Sequence, residues 1–163
     1  MTESKHVHVK TRRRALIIHH SARIKHDLTH GLAEFGWEVF EAEGRADGMR
    51  FMYDLHPVLI IVQVVSGDSS SKDFVESIRL CTNVPLVLLM DRSTEAEESP
   101  FDVPNVLVLA EPITITKLIS ETRKFWRVSN RLSGSSDRET LLLLGKDKMG
   151  NEGAKKKTFA KSA

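Results

Sequence analysis

The stretch that decides the fold is residues 57–65, which read PVLIIVQVV and contain one polar side chain, Gln63. A run of Val, Ile and Leu that begins after a proline and ends at a small polar loop is typical of a parallel strand covered on both faces. The segment therefore predicts a central strand from Val58 to Val65, with helices packed against both sides of its sheet.

Strands and helices alternate on both sides of this central segment. Short apolar runs are separated by segments in which apolar residues recur at helical spacing. This order implies right-handed crossovers and predicts an α/β, flavodoxin-like, doubly wound five-stranded parallel sheet of order 2-1-3-4-5. The other predicted strands are residues 15–18, 37–42, 85–90 and 105–110, and the predicted helices cover residues 24–35, 49–55, 74–81 and 113–132.

One unit of the alternation is defective. Residues 91–104 contain three glutamates and two prolines, and almost no apolar residues at helical spacing. Thr94 and Glu97 have the spacing of a capping box, which allows one or two helical turns before Pro100. We therefore expect the fourth helix to be shortened or missing.

Charge divides the chain into parts. The net charge is +2, but residues 1–14 carry five Lys/Arg against one acid and residues 133–163 carry seven against four. With 163 residues and 40% hydrophobic side chains, the chain is long enough to bury one core. We expect a basic N-terminal arm (1–13), one domain (14–132), and a linker followed by a short leucine-rich helix and a disordered basic tail (133–163).

Hydropathy and cysteine usage predict a cytoplasmic protein. No run approaches the ~18 apolar residues that cross a bilayer, so we expect no membrane association. The single cysteine, Cys81, cannot form an internal disulfide, which is typical of the reducing cytosol. Its place in an apolar helical pattern predicts a packing role.

With this order of elements, residues 14–132 resemble the receiver domain of two-component response regulators. Residues 14–20, RALIIHH, stand where that family has an apolar strand ending in two acids. Residues 36–39, GWEV, match its usual glycine, aromatic, acid and valine. Residues 57–65 match the strand of the phosphoacceptor aspartate, and Gln63 occupies the position of that aspartate.

The resemblance also implies that the phosphorylation chemistry is lost. That chemistry needs a carboxylate nucleophile, a magnesium ion held by carboxylates, and a hydroxyl and a lysine that stabilise the transferred phosphoryl group. Met90 stands where Thr or Ser is usual, and Glu111 precedes Pro112 where Lys-Pro is usual. We therefore interpret the chain as a degenerate pseudo-receiver that is not an enzyme and holds no cofactor. The degenerate phosphoacceptor-site positions are His19, His20, Gln63, Met90 and Glu111.

The function that this resemblance implies is a phosphorylation-independent protein–protein interaction module in bacterial signalling or regulation. The gap left by the fourth helix exposes apolar strand residues, which either the chain's own Leu141–Leu144 segment or a protein partner or second copy of the chain would cover. The predicted interaction surface consists of Phe101, Trp126, Leu141, Leu142, Leu143 and Leu144.

The histidines allow a metal-site hypothesis. His26 and His30 are four residues apart on one predicted helical face, which Glu34 continues. Pairs with this spacing bind zinc when other ligands complete the shell. No second motif supplies those ligands here, so we predict no metal site and a solvated helix face.

The basic termini and the strand ends allow two further hypotheses, a nucleic-acid ligand and a small effector. The basic clusters at residues 12–14 and 155–157 could contact phosphates, but without a motif that enters a groove such binding would be nonspecific and salt-dependent. An effector would bind at the carboxyl ends of the strands. Those ends lack a glycine-rich phosphate loop, which argues against a nucleotide.

Overall fold

Five parallel strands form a single sheet in the order β2-β1-β3-β4-β5. The computed structural model describes residues 13–91, 101 and 103–133. The strands are β1 (Arg13–Ile18), β2 (Trp37–Ala42), β3 (Leu59–Val64), β4 (Leu86–Asp91) and β5 (Val106–Glu111), and the helices are α1 (Ala22–Glu34), α2 (Arg45–Leu55), α3 (Ser69–Cys81) and α4 (Ile115–Ser133). The predicted fold class, strand order and central position of the 57–65 segment are confirmed.

The strands alternate their side chains between two apolar layers, as the period of two in an extended chain requires. On one face, α1 and α4 cover residues such as Ile17, Ile61 and Leu89. On the other face, α2 and α3 cover residues such as Ile60 and Leu88. Because the central strands are buried on both sides, they consist of continuous apolar runs rather than alternating ones.

Residues with special backbone geometry end the first two helices. Gly36, with φ of 82°, follows α1 in the left-handed region that glycine enters at no steric cost. His56, with φ of 47°, is the C-cap of α2 and precedes Pro57. Both helix ends agree with the sequence prediction.

Two local predictions about α3 are wrong. The sequence offers Ser71 as a plausible N-cap, since serine caps helices. The structure instead has Asp68 as the N-cap, and its carboxylate accepts the backbone N–H of Ser70; Ser71 is buried within the first turn. Cys81 is exposed rather than packed, and its Sγ lies 3.0 Å from the hydroxyl of Tyr53. Cys81 is the last residue of α3.

The β5 edge is the least covered part of the sheet. Residues of β4 such as Leu86 and Leu88 are fully buried, whereas every residue of β5 keeps some exposure. Phe101 and Val103 pack against the apolar layer beside Val106. The described residues between β4 and β5, which are 101 and 103–105, form no helix, in agreement with the prediction.

The remaining parts of the predicted organisation fall mostly outside the described residues. This applies to the N-terminal arm up to residue 12, to residues 92–100 and to the chain after Ser133. Within the described part of the chain, none of the helices has the length and apolar character needed to cross a membrane.

Candidate functional site

The predicted site residues lie at one edge of the sheet, where the parallel strands end. His19 and His20 follow β1, and Gln63 lies near the end of β3. Met90 is the next-to-last residue of β4, and Glu111 is the last residue of β5, one register step further along the sheet. In a doubly wound sheet this carboxyl edge is the usual place for a ligand site. The structure brings four of these residues together as two hydrogen-bonded pairs.

The first pair joins the end of β1 to the end of β5. Nε2 of His19 lies 2.9 Å from Oε1 of Glu111, and the two side chains are only 1% and 12% exposed. Since β3 and β4 lie between β1 and β5, this contact reaches across the middle of the sheet edge. The carboxylate of Glu111 is therefore turned inward and already has a donor.

The hydrogen bonds determine the tautomer of His19. The backbone N–H of Ser21 donates to Nδ1 at 2.9 Å, so Nδ1 carries no proton. Nε2 must then carry the proton and donate it to Glu111. Burial lowers the pKa of His19, and the hydrogen bond and charge of Glu111 oppose this effect only in part. His19 is thus a neutral hydrogen-bond donor near neutral pH.

The second pair joins Gln63 of β3 to His20, which follows β1. The amide oxygen of Gln63 accepts the backbone N–H of His20 at 3.3 Å and is also hydrogen-bonded to Nδ1 of the same residue. The rings of His19 and His20 stack with centroids 5.1 Å apart and an interplanar angle of 21°. The two pairs therefore form one continuous group, with His20 on its exposed side.

Met90 contributes apolar surface rather than a polar contact. Its side chain is half-buried and packs against the layer that α2 and α3 cover. A thioether offers a hydrogen-bond acceptor of little strength and no donor. Met90 therefore supports the core beneath the site.

Sequence reasoning missed a polar cluster beside the same edge. The Arg45 guanidinium donates to the backbone oxygen of Ser70 at 2.7 Å and to the carboxylate of Asp68 at 3.1 Å. The hydroxyls of Ser70 and Ser71 also donate to Asp68 and, together with Arg45, hold the pKa of this carboxyl well below its usual range. Arg45 is 23 positions from Asp68, so the capping-type sequence of residues 68–71 was the one local signal that could have indicated the cluster.

A pocket of about 220 Å³ lies between the histidine pairs and this polar cluster. His20 and Gln63 line one side, and Arg45 and Ser71 line the other. Hydrogen bonds within the two groups engage Oε1 of Gln63, Nδ1 of His20 and the guanidinium of Arg45.

Comparison with known proteins identifies the architecture. No protein-family model and no curated protein sequence matches this chain. Its structure is similar to chemotaxis protein CheY4 of Vibrio cholerae, with a TM-score of 0.58 and 20% identity over 70% of this chain and 98% of that one. This chain has a receiver-domain fold.

Other solved structures are similar to the same extent. A CheY-like receiver domain protein of Methanospirillum hungatei has a TM-score of 0.57 and 12% identity, over 72% of this chain and 97% of that one. NtrX of Brucella abortus, solved in complex with ADP, has a TM-score of 0.60 and 13% identity, over 77% of this chain and 29% of that one. Similarity at these identities concerns the fold.

The magnesium ion used by receiver domains does not fit these residues. Within the described part of the chain, no three His, Cys, Asp or Glu side chains are placed to hold a metal ion. A hard cation prefers carboxylate oxygens, but the β1 end supplies imidazoles, the β3 position supplies an amide, and Glu111 is bonded to His19. The same finding leaves His26 and His30, with ring centroids 4.5 Å apart, as a pair without a third ligand among the described residues.

Of the predicted interaction surface, the structure describes one side chain. Phe101 is half-buried and covers its own sheet. The backbone of Trp126 lies on α4, but its side chain and the segment Leu141–Leu144 lie outside the described residues.

Proposed function

We propose that this domain is a pseudo-receiver that works as a phosphorylation-independent protein–protein interaction module in signalling or regulation. The observation that supports this most is the buried hydrogen bond between His19 and Glu111. It occupies the strand ends at which the resemblance to receivers places acids on β1 and a lysine on β5.

The negative charge at this edge opposes phosphoryl transfer. Phosphoryl transfer is catalysed mainly by positioning and by positive charge around the transferred group. Glu111 instead provides negative charge, and Gln63 is a neutral amide that cannot act as a nucleophile. In place of a lysine and an acid, the edge holds a neutral imidazole and a carboxylate that satisfy each other.

A module without this chemistry acts through its surfaces. The exposure retained along β5 supports an interface on that side of the sheet, since apolar strands at a sheet edge are favourable contacts for another protein. In this proposal Phe101, Trp126 and residues 141–144 contribute to the interface, and the partner is another protein or a second copy of the chain.

The proposal of inert chemistry is tested by incubating the full chain with acetyl phosphate and magnesium and measuring its intact mass. We expect an unchanged mass, while an active receiver treated in parallel gains one phosphoryl group. A stable adduct of one phosphoryl group on the parent chain would overturn the proposal. If that adduct is retained in Gln63→Glu but lost in Asp91→Asn, Asp91 is the acceptor.

The interface is tested by comparing the full chain with a chain truncated after Ser133 and with Leu141–Leu144→Ser. Both variants should change self-association or partner binding in sedimentation and pull-down assays, with the unfolding midpoint unchanged. The matched control is Lys155–Lys157→Gln, which alters the tail but keeps the leucines. If that control alone reduces binding, and does so in a salt-dependent way with DNA, the nucleic-acid hypothesis is correct instead.

A further inference from the structure

Helices α2 and α3 lie side by side on one face of the sheet and run in the same direction. Near their starts, the guanidinium of Arg45 donates to the backbone oxygen of Ser70 at 2.7 Å. Near their ends, the hydroxyl of Tyr53 lies 3.0 Å from Sγ of Cys81. Residues 25 to 28 positions apart in the chain therefore lie at the same height along the two helices.

The outer face of this helix pair exposes two large apolar side chains. Leu80 of α3 is 89% exposed, and Tyr53 of α2 is 59% exposed. Among the described residues, one other large hydrophobic side chain, Val65, is exposed, and it follows β3 at the carboxyl edge of the sheet. Leu80 and Tyr53 are 27 positions apart, so they lie at the same height on neighbouring helices.

A pocket of about 310 Å³ opens between the two helices at this height. Met52, Pro57 and Val84 contribute apolar walls, and Tyr53 lines the pocket as well. The surface thus combines a projecting leucine with an apolar hollow. A twofold interface uses the same patch on both copies, so a patch with both features is self-complementary.

Charge on the outer face is self-complementary too. Arg50 lies on α2 and Glu76 on α3, each one helical turn before the apolar residue of its helix. They are 26 positions apart and hence at the same height. Both are exposed and contact a residue of their own helix, Arg50 with Asp47 at 3.1 Å and Glu76 with Lys72 at 4.0 Å. Exposed pairs of this kind contribute little free energy, so both charges can pair with another molecule.

We propose that two copies of this chain associate through the outer faces of α2 and α3, about a twofold axis parallel to these helices. Such a rotation preserves height and places α2 of one copy over α3 of the other. Leu80 of each copy then packs against Tyr53 and the pocket mouth of the second copy, and Glu76 faces Arg50. One rotation satisfies the apolar and the charged contacts together.

The size of this face predicts a weak dimer. The helices have 11 and 13 residues, so they present a face roughly 20 Å long and 20 Å wide, about 400 Å² per copy. Stable interfaces bury about 800 Å² per partner. The association should therefore depend on protein concentration. The face is separate from the exposed β5 edge, so this inference goes beyond the interface proposed there.

Sedimentation velocity of the full chain at increasing concentration measures the dissociation constant of the dimer. Leu80→Asp should raise this constant about tenfold or more, because twofold symmetry places the new carboxylate against apolar surface twice. The matched control is Val65→Asp, which makes a similar change at an exposed residue outside the face. It should leave the constant unchanged.

A charge exchange tests the position of the axis. Arg50→Glu alone and Glu76→Arg alone place like charges opposite each other and should each raise the dissociation constant about threefold to tenfold. The double variant restores opposite charges and should return the constant to within about twofold of the parent value. Circular dichroism spectra of all variants should superimpose, because the substituted side chains are exposed.

Cross-linking gives an independent measurement. Cys81 is the single cysteine of the chain and follows Leu80, so any link through its thiol joins two copies. A short bismaleimide should produce a covalent dimer of the full chain and of Val65→Asp. The yield should be much lower for Leu80→Asp.

Four outcomes would overturn the proposal. The first is a full chain that stays monomeric at every concentration, and the second is equal self-association of Leu80→Asp and Val65→Asp. The third is a double charge variant that associates as weakly as the single variants. The fourth is self-association that Leu141–Leu144→Ser abolishes and Leu80→Asp leaves unchanged, which would support the β5 interface instead.

Discussion

The side chains of His19 and Glu111, 92 positions apart in the chain, meet at 2.9 Å across the carboxyl edge of the sheet. The contact links the end of β1 to the end of β5 and leaves both groups almost fully buried. The backbone N–H of Ser21, at the start of α1, donates to the other ring nitrogen of His19, Nδ1. The edge that carries chemistry in an active receiver is here a satisfied structural contact, and this leads to measurable consequences.

A lysine at position 111, the residue that the resemblance to receivers leads one to expect there, should destabilise the domain. Glu111→Lys leaves Nε2 of His19 without an acceptor and should lower the free energy of unfolding by about 1–3 kcal/mol, the cost of an unsatisfied buried donor. Glu111→Gln keeps an acceptor and should cost less. Urea unfolding measures both, with Glu34→Lys, the same charge change on an exposed residue, as the control. A Glu111→Lys protein as stable as this control would contradict the structural role of the pair.

Acid should weaken the fold through His19. Burial lowers its folded-state pKa below the ordinary value of 6.5, so the unfolded chain binds the proton more readily. The free energy of unfolding should therefore be highest above pH 6.5 and fall as the pH decreases below it.

The variant His19→Gln should reduce this pH slope between pH 7 and pH 5 in urea titrations, since glutamine does not titrate. His26→Gln, at an exposed histidine, serves as the control substitution. Equal slopes for the parent and His19→Gln would show that this imidazole does not carry the effect.

Close packing between α1 and α4 should make Gly31 intolerant of alanine. A Cβ on Gly31 would lie 2.5 Å from Cγ1 and 2.8 Å from Cβ of Ile115. Overpacking of this kind costs about 1–3 kcal/mol, which exceeds the roughly 1 kcal/mol that alanine gains over glycine in a helix. The melting temperature of Gly31→Ala should fall.

The matched comparison is Gly48→Ala in α2. There the closest atom is the terminal Cδ1 of Ile18, at 2.4 Å, which can move by a rotamer change. Gly48→Ala should thus be less destabilising than Gly31→Ala, and the reverse order would show that Ile115 yields more easily than Ile18.

Zinc should bind no tighter than a two-histidine surface pair allows. His26 and His30 are close, but the described residues supply no third ligand, and stable zinc sites need four ligands or three with a water. Elemental analysis of the dialysed protein should find well below one equivalent. One full equivalent that disappears in His26→Ala/His30→Ala would favour the metal-site hypothesis.

The arrangement of helices and strands was accessible from the sequence because each signal is local. Alternating apolar segments predicted the parallel sheet, and the helical spacing that stops at Phe35 and Leu55 predicted two helix ends. The start of α3 was not accessible, since residues 68–71 can all cap a helix and only the structure shows that Asp68 does so. The exposure of Cys81 was equally hidden, because apolar residues at helical spacing do not show how much of each side chain the fold covers.

For the candidate site, the sequence by itself determined which side chains lie at the carboxyl edge, because parallel strands end together there. From the resemblance to receivers, it also predicted that this edge lacks the acceptor carboxylate and the lysine of an active receiver. Only the tertiary structure decided that His19 pairs with Glu111 and His20 with Gln63. Whether a hydrogen bond forms depends on differences of a few tenths of an ångström in the distance between donor and acceptor. For residues far apart in the chain, the twist of the sheet and the packing of α1 set that distance.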